Sequence, residues 1–90
     1  MSMARILVVD DDQGMREFME IMLVKEGYDV TSAEDASRAL NICGKRDFDL
    51  IVTDLRMPKI DGIEFLKKIK DQKPETTVIL VTAYASGETA

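Results

Sequence analysis

Ninety residues suffice for one domain and leave little room for a second. The net charge of −5 disfavours a nucleic-acid-binding surface, and no apolar run approaches the roughly 20 residues of a membrane span. With no histidine and a single cysteine, Cys43, the sequence offers no Ser-His catalysis, no histidine metal ligand, no histidine phosphodonor and no internal disulfide. The lone thiol reads as a small buried residue and fits a reducing, cytoplasmic compartment. The apolar stretch near the start is too short for a signal peptide.

Arg5-Ile6-Leu7-Val8-Val9 is apolar after its first residue and closes on Asp10-Asp11-Asp12. Such a run predicts a strand buried on both faces, hence parallel and covered by helices. Asp12 is placed to cap a helix over 13–25. Met15, Phe18, Met19 and Met22 form its apolar stripe, which Ile21, Leu23 and Val24 widen, so this helix is expected to be mostly buried. Gly27 suits a left-handed position after its end. A short strand follows over 28–33. A second helix spans 36–44, capped by Asp35, with Ala36, Ala39, Leu40 and Cys43 on one face.

A third apolar strand over 48–53 ends at Asp54, and the loop Met57-Pro58-Lys59-Ile60-Asp61-Gly62 follows at once. Pro58 shapes that loop. Asp61 caps a third helix over 63–70, and Gly62 is expected to supply a positive φ. Ile63, Leu66 and Ile69 are expected to point inward, and Lys67, Lys68 and Lys70 outward. Pro74 stops the helix. A fourth apolar strand over 77–82 ends in the hydroxyl of Thr82. The order βαβαβαβ implies a parallel α/β sheet with right-handed crossovers. No helix follows the last strand, so one sheet edge and part of one face are expected to lie uncovered.

Open parallel sheets bind ligands beyond the carboxyl ends of their strands. Here those ends carry Asp10, Asp11, Asp54 and Thr82. Three carboxylates brought together repel and raise one another's pKa. A hard divalent cation relieves this, and Mg²⁺ takes one or two carboxylates, keeps waters and accepts a phosphate oxygen. An aspartate beside it can attack phosphorus. Thr82 can donate to a phosphoryl oxygen.

The strand end Val8-Val9-Asp10-Asp11, the segment Asp54-Leu55-Arg56-Met57-Pro58 with Asp61-Gly62, and Val81-Thr82-Ala83 together resemble the receiver domain of bacterial two-component response regulators. The match spans nearly the whole chain, treated as one receiver domain over 1–90, and is nearest in kind to receivers that precede transcription-activator modules. The resemblance implies a flavodoxin-like, doubly wound sheet with strand order 2-1-3-4. It implies Asp54 as phosphoacceptor, taking phosphate from a sensor histidine kinase as an acyl phosphate. Asp11 and Asp54 then resemble direct Mg²⁺ ligands with the backbone carbonyl of Arg56, and Asp10 a ligand through water. Thr82 resembles the switch hydroxyl, with Ala83 beside it, and Arg56 and Tyr84 match variable flanking sites. A complete receiver adds a helix, a fifth strand ending in Lys-Pro and a last helix, roughly thirty more residues. The chain is therefore expected to be incomplete at its C-terminus, without the phosphate-neutralising lysine. The stripe on the first helix is expected to be exposed or paired with another chain, as in a homodimer. An output module in the full-length protein is also implied, with no membrane and no direct nucleic-acid contact by this domain.

Two other readings compete. Asp10-Asp11-Asp12 and the strand ending in Thr82 also resemble the haloacid dehalogenase family of aspartyl phosphohydrolases. Against this, Gly14 stands where that family has Thr or Val, and the Asp54 loop goes unexplained. The remaining reading is a receiver-like interaction module that is never phosphorylated.

Overall fold

The structure, a computed structural model, describes residues 3–57 and 59–81. Four parallel strands form one sheet: β1 (Arg5–Val9), β2 (Asp29–Ala33), β3 (Leu50–Asp54) and β4 (Thr77–Val81), in the order β2-β1-β3-β4. The order and the parallel pairing match the expectation. Between them run α1 (Gln13–Lys25), α2 (Ala36–Lys45) and α3 (Gly62–Gln72). Each helix starts where an aspartate presents its side chain. Asp12 accepts from the backbone N–H of Met15, Asp35 from Arg38 and Asp61 from Glu64. These three bonds satisfy N–H groups that have no partner inside the helix. Gly27, at φ 95°, follows the end of α1 as the sequence suggested.

The alternation of side chains along each strand divides the core in two. On one face Leu7, Val9 and Ile51 pack with Ala36, Ala39 and Cys43 of α2 and with Phe65 and Ile69 of α3. On the other, among the described residues, Ile6, Val8 and Val52 meet Met19 and Leu23 of α1, flanked by Val30 and Leu50. The first face is dense and the second thin. Burial pushes the Cys43 thiol up from its ordinary pKa, so it sits as a neutral core group.

Two expectations about helix faces need correction. None of the residues of α1 is fully buried. Phe18 is 60% exposed, and Met15, Ile21, Met22 and Val24 also face outward. The stripe is wider than the strip of sheet beneath it, and only Met19 and Leu23 reach that strip. Ile79 and Val81 of β4 are exposed as well, and the register pairs Ile79 with Val52, which belongs to the thin face. In α3 the inward residues are Phe65 and Ile69, with Leu66 partly buried, whereas Ile63 faces outward. Phe65 lies one turn before Ile69, about 40° from it around the helix, whereas Ile63 lies about 120° away. Lys70 does point away from the sheet but folds back to donate to the Thr76 carbonyl.

Urea denaturation should separate the two phenylalanines. Phe65→Ala is expected to cost about 3–5 kcal/mol, as for a fully buried aromatic ring. Phe18→Ala is expected to stay within about 0.5 kcal/mol, as for a surface position. Equal losses at both positions would contradict the division of the core.

Candidate functional site

Parallel pairing brings the acids together. Val9 of β1 stands opposite Thr53 of β3, so the next residues, Asp10 and Asp54, leave the sheet side by side. Among the described residues, Asp10, Asp11 and Asp54 each offer a carboxylate oxygen, and these atoms lie within 4.8 Å of one another. They line a cleft of about 240 Å³ together with Asp12, Met15, Arg56 and Val81. Asp10 is buried, Asp54 half-buried and Asp11 exposed.

The β1–α1 turn is held by hydrogen bonds. The N–H of Asp10 donates to the Ala33 carbonyl at 3.2 Å, continuing the β1–β2 pairing. Asp10 Oδ1 accepts the N–H of Asp12 at 2.9 Å. Asp12 directs its own carboxylate to Met15 and so acts as a cap, not as a fourth member of the cluster. Sequence reasoning missed Arg16, whose Nη1 donates to the Asp10 carbonyl at 2.8 Å. Its signal was weak: an arginine four residues after a cap reads as an ordinary surface residue.

The β3–α3 loop is held by close packing. Asp54 Oδ1 lies 3.4 Å from the N–H of Arg56, and the N–H of Leu55 donates to the Val81 carbonyl at 2.9 Å. The expected positive φ at Gly62 is not found. The left-handed residue is Lys59, at φ 71°, and Gly62 is the first residue of α3. Gly62 is required for a different reason. A Cβ there would lie 2.7 Å from the Asp54 carbonyl oxygen and 2.8 Å from Leu55 Cα, closer than real Cβ contacts. The N–H of Gly62 donates to the Leu55 carbonyl at 2.8 Å, so α3 begins directly against the backbone that carries Asp54. Pro58, Thr82, Ala83 and Tyr84 lie outside the described residues.

The electrostatics of the cluster are unfavourable without a cation. At about 4 Å, two carboxylate charges repel by roughly 1 kcal/mol in water-like surroundings and by about 4 kcal/mol at an effective dielectric near 20. Burial raises the pKa of Asp10, and the charges of Asp54, Asp11 and Asp12 raise it further, against the lowering effect of the Asp12 N–H bond. The donor set fits a hard cation. Around Mg²⁺, at bonds of about 2.1 Å, opposite oxygens stand roughly 4.2 Å apart and adjacent ones roughly 3.0 Å, so three oxygens within 4.8 Å of one another would close toward a shared ion or reach it in part through water. The cluster is therefore able to chelate a metal ion.

Comparison with known proteins agrees with this geometry. The response regulator receiver domain family matches residues 6–90. The transcriptional regulatory protein ZraR of Klebsiella oxytoca is 42% identical over 85 residues, covering 94% of this chain and 19% of its own length. The response regulator PilR of Pseudomonas aeruginosa is 37% identical over 90 residues, covering 100% of this chain and 20% of its own length. The chain thus spans about a fifth of the length of such curated relatives. The structure of the response regulator TrrA of Thermotoga maritima in complex with Mg²⁺-BeF superposes with a TM-score of 0.88 at 38% identity, covering 97% of this chain and 76% of that one.

Asp10→Asn keeps an oxygen for the Asp12 N–H and removes one buried charge. A carboxyl whose folded pKa is raised favours the folded state while protonated and loses that contribution as pH rises through its folded value. In the absence of metal, Asp10→Asn is therefore expected to raise the thermal midpoint at neutral pH. The gain should shrink to nothing as the pH falls below the carboxylate range. A gain that persists in acid, measured by circular dichroism melts across pH, would contradict this.

Proposed function

This chain belongs to the response regulator receiver domain family, and from that premise we propose that it is a Mg²⁺-dependent phosphoacceptor whose acceptor is Asp54. The observation that carries the reading is the meeting of Asp10, Asp11 and Asp54 at the carboxyl ends of two adjacent strands. Asp54 stands half-buried at the last position of β3, on a backbone fixed by α3 on one side and β4 on the other. Its free carboxylate oxygen attacks the phosphorus of a phosphohistidine on a sensor kinase. The O–P bond of an acyl phosphate forms as the N–P bond breaks, and the imidazole leaves with the electron pair. Mg²⁺, when bound there, would supply positive charge that shields the incoming phosphoryl oxygens. Asp11 and Asp54 would hold it directly with the Arg56 carbonyl, and Asp10, the most buried of the three acids, would hold it through water. The Mg²⁺-BeF complex of TrrA supports Mg²⁺ as the ion.

Thr82, which follows β4 in sequence, is proposed with Ala83 beside it to meet the phosphoryl group, and Pro58 to shape the acceptor loop. Several relatives are transcriptional regulatory proteins much longer than this chain, which supports an attached output module switched by the phosphorylation. No helix among the described residues is long and apolar enough to cross a membrane. A cytoplasmic setting suits a free buried thiol. The phosphohydrolase reading needs Asp10 and Asp12 as a working pair, and the carboxylate of Asp12 is bound to the Met15 N–H as a helix cap.

Incubation with Mg²⁺ and acetyl phosphate, followed by mapping of added phosphate by mass spectrometry, tests the assignment. Label on Asp54 that disappears in Asp54→Asn is expected. Label on Asp10 would sink the assignment in favour of the phosphohydrolase. Absence of label in a full-length version of the protein would leave the interaction-module reading standing in its place.

A further inference from the structure

Arg16 is a half-buried cation just past the first turn of α1, close in sequence to the acidic cluster, yet among the described residues its side chain bonds to no carboxylate. Nη1 donates to the backbone carbonyl of Asp10, six residues back, at 2.8 Å. The backbone N–H of the same residue donates to the Asp12 carbonyl at 3.0 Å. The two bonds bracket Asp11. Three more fasten the turn: Asp10 N–H to the Ala33 carbonyl, Asp12 N–H to Asp10 Oδ1, and Met15 N–H to Asp12 Oδ1. Apolar packing adds little here, because α1 meets the sheet through Met19 and Leu23, farther along the helix. The turn that carries two of the three acids is thus held mainly by polar bonds, and Arg16 joins both of its ends.

A cation at this place has two opposed effects on a bound divalent ion. Its charge repels the ion. Its clamp holds Asp10 and Asp11 where they can share the ion with Asp54, as outer groups do around many metal sites. We infer that Arg16 is a positioning residue for the Mg²⁺ site, and that its clamp on the Asp10 carbonyl outweighs its repulsion of the ion. The inference rests on the reading of the cluster as a Mg²⁺ site. Its strength is that the two effects have opposite signs. A group acting through charge alone weakens Mg²⁺ binding, so its removal tightens it. A clamp strengthens binding, so its removal loosens it.

Isothermal titration calorimetry with Mg²⁺ on the purified chain at neutral pH decides between them. The set is wild type, Arg16→Met, Arg16→Gln and Asp11→Asn, each first checked for folding by a metal-free melt. Arg16→Met keeps helix propensity and removes the donor. Arg16→Gln keeps a neutral donor on a side chain too short to reach the Asp10 carbonyl. Both are expected to bind Mg²⁺ about tenfold more weakly than wild type, the lower end of the usual cost of losing such an outer group. Equal or tighter binding in either folded variant would overturn the inference. Failure of both variants to fold would overturn it too, since Arg16 would then hold the fold and not the site. Absence of Mg²⁺ binding by wild type, or undiminished binding by Asp11→Asn, would instead bring down the site reading on which the inference stands.

Discussion

Three like charges within 4.8 Å of one another are the constraint on which the rest of this structure depends. The sheet imposes it. Parallel pairing of Val9 with Thr53 sends Asp10 and Asp54 out of adjacent strands on the same side, and Asp11 follows. Water alone relieves such crowding poorly where one member is buried, and the upward push on the Asp10 pKa registers the cost. The bonds around the cluster hold it in place. Gly62 lets α3 begin against the Asp54 backbone, Asp12 is occupied as a cap, and Arg16 grips a carbonyl in place of a carboxylate. The carboxylates are left for a cation to collect.

The two supports of the site differ in kind. The loop after β3 rests on the dense face of the sheet. There Met57, Phe65, Ile69 and Ile51 form one buried cluster, and the Thr53 hydroxyl donates to the Asp54 carbonyl at 3.1 Å. The turn after β1 rests on the thin face, where α1 contributes no fully buried side chain. Packing fixes the first and hydrogen bonds fix the second. The polar bonds of the turn that carries Asp10 and Asp11 set how these acids meet Asp54.

Much of this was legible in the sequence, for reasons that can be named. Continuous apolar runs closed by acids gave the parallel strands, and the spacing of Asp12, Asp35 and Asp61 before helical stretches gave all three caps. The meeting of Asp10, Asp11 and Asp54 followed from strand order alone. What was not legible depends on distance or on neighbours. Glycine was read at Gly62 as a dihedral requirement, but the need is for space, and the left-handed residue is Lys59. Periodicity read the stripe of α1 as buried, while the receiver resemblance had it exposed or paired with another chain; periodicity reports which residues share a face, not how much of that face another element covers. Phe65 was missed because the inward face was drawn through Ile63, Leu66 and Ile69, although Phe65 lies about 40° from Ile69 around the helix and Ile63 about 120° from it. Arg16 was invisible because a bond from a side chain to a carbonyl six residues back leaves no mark on hydropathy.

The account stands or falls on whether a cation relieves the crowding, and thermal unfolding with and without saturating Mg²⁺ tests that most directly. A ligand that binds the folded chain raises its midpoint by mass action. At neutral pH the midpoint should rise with Mg²⁺. The rise should fade in acid as the carboxylates protonate, and should be lost in Asp11→Asn. A midpoint indifferent to Mg²⁺ at neutral pH, or one raised as much in Asp11→Asn as in wild type, would contradict the central claim.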